Sequence, residues 1–419
     1  MIKLLLAVLI ASVSFAGGFR VVEKSLSNGV KLIVKETKGK GIASLVVFFR
    51  GGQNGEKLKG ETHLLFTLLL KGSENYPSSY EVSLPFESYG GYIYTSSGDD
   101  FSELGFSTKT DNLEEALAVV RDVLKRPLLK EEDLEREKGN TIVAIRSKRE
   151  MGMEFAMEHL RRLTYRGTPY ETTPLGTEED VSSITRENLL RRLEEIRKGG
   201  NIVVSFVGDV PAGRALKLLE ETFGDIEPGA LDIEEREFPI EEEKVLRVKR
   251  EGTQATILCA FNAPKKGTKD YYTFKVLASA LGDGMTSKLF VELREKKGYA
   301  YATYAFYPTR HSAPRLFAYI GTSPQKKENA LRDLIAIVKE PGLTEEEVEI
   351  AKNKIVGDFL LDHQTRIRQA WYLGFYEVMG LGWRTDEEYP DRIKAVSLKE
   401  VEDAIPVYID KYHCVVVEP

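Results

Sequence analysis

Apolar side chains recur first in alternation and then continuously at Val30–Val34 and Ser44–Phe49, so both stretches read as strands, the first introduced by a Ser27-Asn28-Gly29 turn. The pattern then changes period. Gly60 opens GETHLLFTLLLKGS, apolar residues fill a helical run, and Lys71-Gly72 closes it as a helix C-terminus does. A second short helix is predicted over Tyr80–Tyr89, after which Gly90-Gly91 leads into paired strands at Tyr92–Ser96 and Phe101–Ser107. Leu113, Ala116, Leu117, Val120 and Val123 make one stripe on a helix over Asp111–Leu124, and Glu131–Met157 reads as one longer helical stretch. Thr185 is a fitting N-cap for a helix over Arg186–Ile196; a strand at Ile202–Phe206 and a helix at Ala212–Phe223 follow. Helices on a mainly antiparallel sheet make an α+β unit.

The pattern then starts again. LLKEEDLEREKGNTIVAI near residue 128 is echoed by GLTEEEVEIAKNKIVGDF near 342, and VSSITRENLLRRLEEIRKGGNIVVSFVGD near 181 by IKAVSLKEVEDAIPVYIDKYHCVVVEP near 393. The common offset of about 213 residues is that of a duplicated domain, far above solenoid periods. The 419 residues exceed the roughly 250–300 at which single cores stop growing. The expected organisation is therefore two homologous α+β units, 19–224 and 250–419, joined by a Pro-, Glu- and Lys-rich linker at 225–249.

Composition narrows the function classes. A chain that is 42% hydrophobic and 30% charged is that of an ordinary globular protein, and its formal charge of −6 gives no electrostatic footprint for nucleic acid or an anionic membrane surface. Asn and Gln are sparse beside Lys, Glu and Arg, a bias shared by proteins of hot environments. The N-terminus, MIKLLLAVLIASVSFAGGF, has one lysine, an apolar run from Leu4 and small residues at Ser14 and Ala16. That order predicts a signal peptide over residues 1–16 and export to a periplasm; an uncleaved anchor is the alternative. Two cysteines, Cys259 and Cys414, lie in strand-like runs. An oxidising compartment would let them pair if their strands are neighbours, but two separate buried thiols are the simpler reading.

The chemistry sits in two places. The frame of Gly60–Ser73 resembles the active-site helix of the insulinase/pitrilysin zinc peptidases, including mitochondrial processing peptidase, whose pattern is G-x-x-H-x-x-E-H followed by apolar residues and K-G-[ST]. In that motif two histidines one turn apart hold zinc and the glutamate activates water. In the same register this chain has His63, then Phe66 in place of the base and Thr67 in place of the second ligand. The stretch Glu135–Ile145, which resembles the segment carrying the third ligand, puts Ala144 at the ligand position. One imidazole does not hold a catalytic zinc, which takes about three protein ligands. His159, His311, His363 and His413 are scattered, and His363 sits on a helix stripe with Trp371 and Tyr372 that reads as packing.

In the second half, LGDGMTSKLF at 281–290 precedes REKKGYAY at 294–301. This resembles the family pattern G-G-G-M-S-S-R-L-F followed by R-E-x-x-G-L-A-Y, whose Arg and Tyr clamp substrate. Arg294 and Tyr301 occupy those positions. The resemblance implies a non-catalytic, substrate-binding subunit of an exported heteromeric zinc metalloendopeptidase. It would hold no cofactor itself, zinc being expected in a homologous partner subunit, and would meet peptide substrates but neither nucleic acid nor, beyond its signal peptide, membrane. The alternative is a pseudo-peptidase that binds peptides or scaffolds an assembly without any part in hydrolysis. A zinc site relocated among distant residues would instead show as stoichiometric metal in the isolated chain.

Overall fold

The computed structural model describes residues 13–16, 19–233 and 235–419. Its strands are β1 (Val13–Ala16), β2 (Phe19–Ser25), β3 (Lys31–Glu36), β4 (Ile42–Arg50), β5 (Tyr92–Ser97), β6 (Phe101–Lys109), β7 (Ile202–Gly208), β8 (Lys244–Lys249), β9 (Ala255–Asn262), β10 (Ala300–Phe306), β11 (Arg315–Thr322) and β12 (Tyr412–Glu418). They form a seven-stranded sheet in the order β1, β2, β3, β7, β4, β6, β5 and a five-stranded sheet in the order β10, β11, β9, β12, β8. Both are mainly antiparallel, with one parallel pair each, β3 with β7 and β12 with β8. The fold is two related α+β units. Of the expected signal peptide, residues 1–12 lie outside the described residues, and Val13–Ala16 is β1, antiparallel to β2.

The compact units are not the contiguous segments 19–224 and 250–419. The first comprises the described residues up to Thr141 with Pro174–Ile233 and Asp362–Glu387; the second comprises Ile142–Thr173, residues 235–361, and Glu388–Pro419. Each half of the sequence thus lends one helix to the other half's sheet. The helix Arg366–Val378 packs on β4 and β7, and the helix Gly152–Thr164 on β9 and β12. The reason is burial. Ala370 and Leu373 join Val46, Phe48, Val203 and Val207 in one core, and Ala156 and Leu160 join Leu258, Ala260, Val415 and Val417 in the other. Each fully covered Leu, Val or Phe among them contributes roughly 1.5–3 kcal/mol. Gly374 is what lets its helix lie so close: a Cβ there would stand 2.3 Å from the Phe48 ring.

The same exchange corrects two local expectations. Glu131–Met157 is not one helix but two, Glu131–Arg149 and Gly152–Thr164, separated where Met151 turns extended at φ −94° and ψ 122°. The expected linker 225–249 ends in β8, which lies parallel to β12, and Ile240 within it is buried in the second unit's core.

Cys259 and Cys414 form a disulfide, against the reading as separate thiols. The C-terminal strand β12 pairs directly with β9 in a register that sets the two residues opposite each other, their Cα atoms 4.0 Å apart.

Candidate functional site

The motif helix spans Glu61–Leu69 and starts from Gly60, whose φ of 97° is left-handed. Much of the polar chemistry around it secures its N-terminus. The Glu56 carboxylate accepts from the backbone N–H of Gly60 at 3.2 Å and of Thr62 at 2.9 Å, where the helix leaves donors unpaired; burial pushes its pKa up. Glu61 is buried and accepts from Arg191 Nη2 at 2.6 Å. Arg192, fully buried, donates to Thr62 Oγ1 at 3.0 Å and to the carbonyls of Gly52 and Asn54 at 2.8 and 2.7 Å.

The three motif positions have separate fates. His63 is half-buried, with Nδ1 3.4 Å from Ser97 Oγ on β5. Phe66 is 1% exposed and meets Phe49 edge to face, ring centroids 5.3 Å apart. The Thr67 hydroxyl donates to the carbonyl of His63 at 2.9 Å, a bond within its own helix. Ala144, on the helix Glu131–Arg149, offers no donor atom.

These residues do not fit zinc. One imidazole, a benzyl group, a hydroxyl spent on its own helix and a methyl group lack the three-ligand set. Among the described residues no group of three or more His, Cys, Asp or Glu side chains is arranged to hold a metal. The other histidines have structural partners: His363 Nε2 lies 2.7 Å from Asp386 Oδ1 and its ring stacks on Tyr372, while His159 Nδ1 lies 2.9 Å from the Phe155 carbonyl.

The structure brings Arg294 and Tyr301 together. Arg294 stands on a π-helical turn, Phe290–Lys296, a geometry that is rare and concentrated at functional sites. The turn ends at Gly298, which takes a φ of 60° while its N–H bonds back to the Arg294 carbonyl at 3.1 Å. The chain then enters β10, the edge strand. Its pairing with β11 slips between Ala300 and Ala302, so Tyr301 sits at a bulge, a device that re-aims a side chain. Arg294 Nη1 donates to the Tyr301 carbonyl at 3.1 Å, and the Tyr301 side chain is 54% exposed.

Sequence reasoning missed the support beneath that pair. The guanidinium carbon of Arg294 lies 5.0 Å from the centroid of the Phe290 ring. The signal was present, since Phe290 precedes Arg294 by one helical turn. A second missed group is in the first unit, where Trp371 Nε1 donates to Glu103 Oε2 at 2.6 Å; burial pushes the Glu103 carboxyl up to about 7. Nothing in the local sequence marks it, because its two partners lie far apart in the chain.

Known proteins resemble this chain in family and in fold. The model of the insulinase family, peptidase family M16, matches residues 31–178, and that of the peptidase M16 inactive domain matches 183–355. A protein of Bacillus subtilis called an uncharacterized zinc protease, YmxG, is 24% identical over 400 residues, covering 94% of this chain and 97% of its own. A Helicobacter pylori protein called a non-peptidase homolog is 26% identical over 306 residues, or 71% of this chain and 70% of its own. A solved peptidase M16 inactive domain from Pseudomonas fluorescens superimposes with a TM-score of 0.88 at 19% identity, covering 95% of this chain and 98% of that one.

Proposed function

Because the chain belongs to the insulinase family of peptidases, M16, we propose that it is the non-catalytic subunit of a heteromeric metalloendopeptidase, presenting Arg294 and Tyr301 to a peptide held by a homologous, metal-bearing partner. The observation that carries this reading is the contrast within the chain: the hydrolytic positions hold Phe66, Thr67 and Ala144, whereas the Arg/Tyr pair is intact, adjacent and exposed on a sheet edge.

The chemistry of the pair suits the role. Amide hydrolysis builds negative charge on the substrate carbonyl oxygen, and a phenol O–H or guanidinium N–H fixed toward that oxygen stabilises the charge as it forms. Arg294 has N–H donors left beyond the one given to Tyr301. Metal, water and base belong to the partner. Export is part of the proposal, supported by the N-terminal sequence and by the disulfide, which persists in an oxidising compartment.

The test is cleavage of a quenched fluorescent peptide by this chain alone, by an H-x-x-E-H-bearing homologue from the same organism alone, and by the mixture. Activity confined to the mixture, and reduced at least tenfold by Arg294→Ala or Tyr301→Phe at unchanged complex formation, is the expected result. A mixture no faster than the partner alone overturns it in favour of the second reading, a peptide-binding or scaffold protein. That reading has its own support in the relative called a non-peptidase homolog.

A further inference from the structure

The duplication gives the motif helix a counterpart in the second unit, the helix Lys269–Gly282. Two anchors align them. His63 follows the end of β4, Arg50, by 13 residues, and Lys275 follows the end of β9, Asn262, by 13. In the same register Gly72 falls on Gly284, and both have left-handed φ, 146° and 95°. Both helices also pack against the edge strand of their sheet, β5 and β10. At Gly282 the second approach is so close that a Cβ would stand 1.8 Å from the Ala305 nitrogen.

In this alignment the positions of His63, Phe66 and Thr67 become Lys275, Ala278 and Ser279. All three line one cavity of about 630 Å3, walled further by Met153, Phe306 and Ile355 and lying wholly within the second unit. The ring that fills the place of the catalytic base in the first unit is reduced to a methyl group in the second. A cavity of this size, largely apolar and with few polar groups, is that of a small-ligand site.

Lys275 is its unusual member. The amine donates to the Tyr307 carbonyl at 2.7 Å and to Thr309 Oγ1 at 3.1 Å, and lies 5.1 and 4.8 Å from the ring centroids of Tyr271 and Tyr307. Two of its three donor positions are used. Among the described residues no carboxylate pairs with it. Asp283, which also lines the cavity, lies 3.4 Å from Lys354 Nζ and accepts from Ser279 Oγ at 3.5 Å. Burial and the nearby Arg310 guanidinium push the Lys275 ammonium down to about 7. A partly buried cation without a counter-ion is costly, and an incoming anion relieves that cost.

We propose that this cavity binds a carboxylate carried on an apolar or aromatic body, the carboxylate meeting the Lys275 amine and the body lying against Met153, Phe306 and Ile355. Two sources share that chemistry, a free arylalkanoic acid and the C-terminal residue of a peptide. The inference is independent of any partner subunit.

Titration calorimetry on the full chain tests it. The probes are phenylacetate, 3-phenylpropionate, an acetylated tripeptide ending in a free phenylalanine carboxylate, and the amides of all three. At least one acid should bind with a dissociation constant below about 1 mM, its amide at least tenfold more weakly, and which acid binds identifies the source. Lys275→Met removes the amine, and Ala278→Phe places in the cavity the ring that the first unit carries at Phe66. Each variant, once shown by circular dichroism to be folded, should lose affinity at least tenfold. Absence of binding by every acid, equal binding of acid and amide, or unchanged affinity in either folded variant overturns the proposal.

Discussion

In the first unit the helix against the edge strand turns Phe66 into the core, spends Thr67 on its own backbone and leaves His63 beside a serine. In the second, the corresponding helix carries Lys275, Ala278 and Ser279 on the wall of a cavity. At the aligned position the first unit buries a phenylalanine ring against Phe49, and the second has a methyl group on a cavity wall. The placement of a helix and the chemistry of the side chains it presents are therefore separable.

The packing claim is the strongest place to break this comparison. Phe66→Ala is expected to destabilise the chain by about 3–5 kcal/mol in denaturant unfolding, as for other buried Phe truncations. A loss below about 1 kcal/mol would mean that the ring does not fill the first unit's site, and the contrast with Ala278 would fall. Next in size is the disulfide, which crosslinks β9 and β12 in the second unit; the equivalent strands of the first, β4 and β7, pair through Val46, Val47, Val204 and Ser205. The double variant Cys259→Ala, Cys414→Ala should lose about 2–4 kcal/mol, seen as a second unit that unfolds at lower denaturant while protection of the first unit's amides from hydrogen exchange is retained. Equal weakening of both units would show that the crosslink does not distinguish them.

The pH dependence of stability separates the two units by sign. Glu103, in the first unit, holds its proton up to about 7 when folded against an ordinary 4.5. Between those values the folded state binds more protons, so stability falls as pH rises, and Glu103→Gln should flatten that fall. Lys275, in the second unit, loses its proton near 7 when folded against an ordinary 10.5. The unfolded state then binds more protons, so stability rises with pH from about 7 to 10.5, and Lys275→Met should abolish that rise. Stability curves of the two variants against pH decide it; slopes of the same sign would contradict the assignment of the two groups.

Local pattern made most elements legible. The helix Ala212–Phe223, the Thr185 cap, the strands on both sides of Gly98 and the turn at Gly298 rest on residues near one another in the chain. The Arg294 and Tyr301 positions were legible for the same reason, because a helix end, a left-handed glycine and a strand start fit within eight residues. The break at Met151 was harder to see, since helical spacing continues through it while the destination of the chain changes.

The sequence by itself determined the α+β class, the duplication, the absence of metal-binding side chains at Phe66 and Ala144, and the spacing of Arg294 and Tyr301, all of which depend on residue identity and short-range spacing. Only the tertiary structure decided the exchange of helices between the units, the pairing of Cys259 with Cys414, and the gathering of Met153, Lys275 and Ile355 around one cavity. Those depend on which apolar face finds which sheet, a free-energy difference between distant segments that no local window of the chain contains.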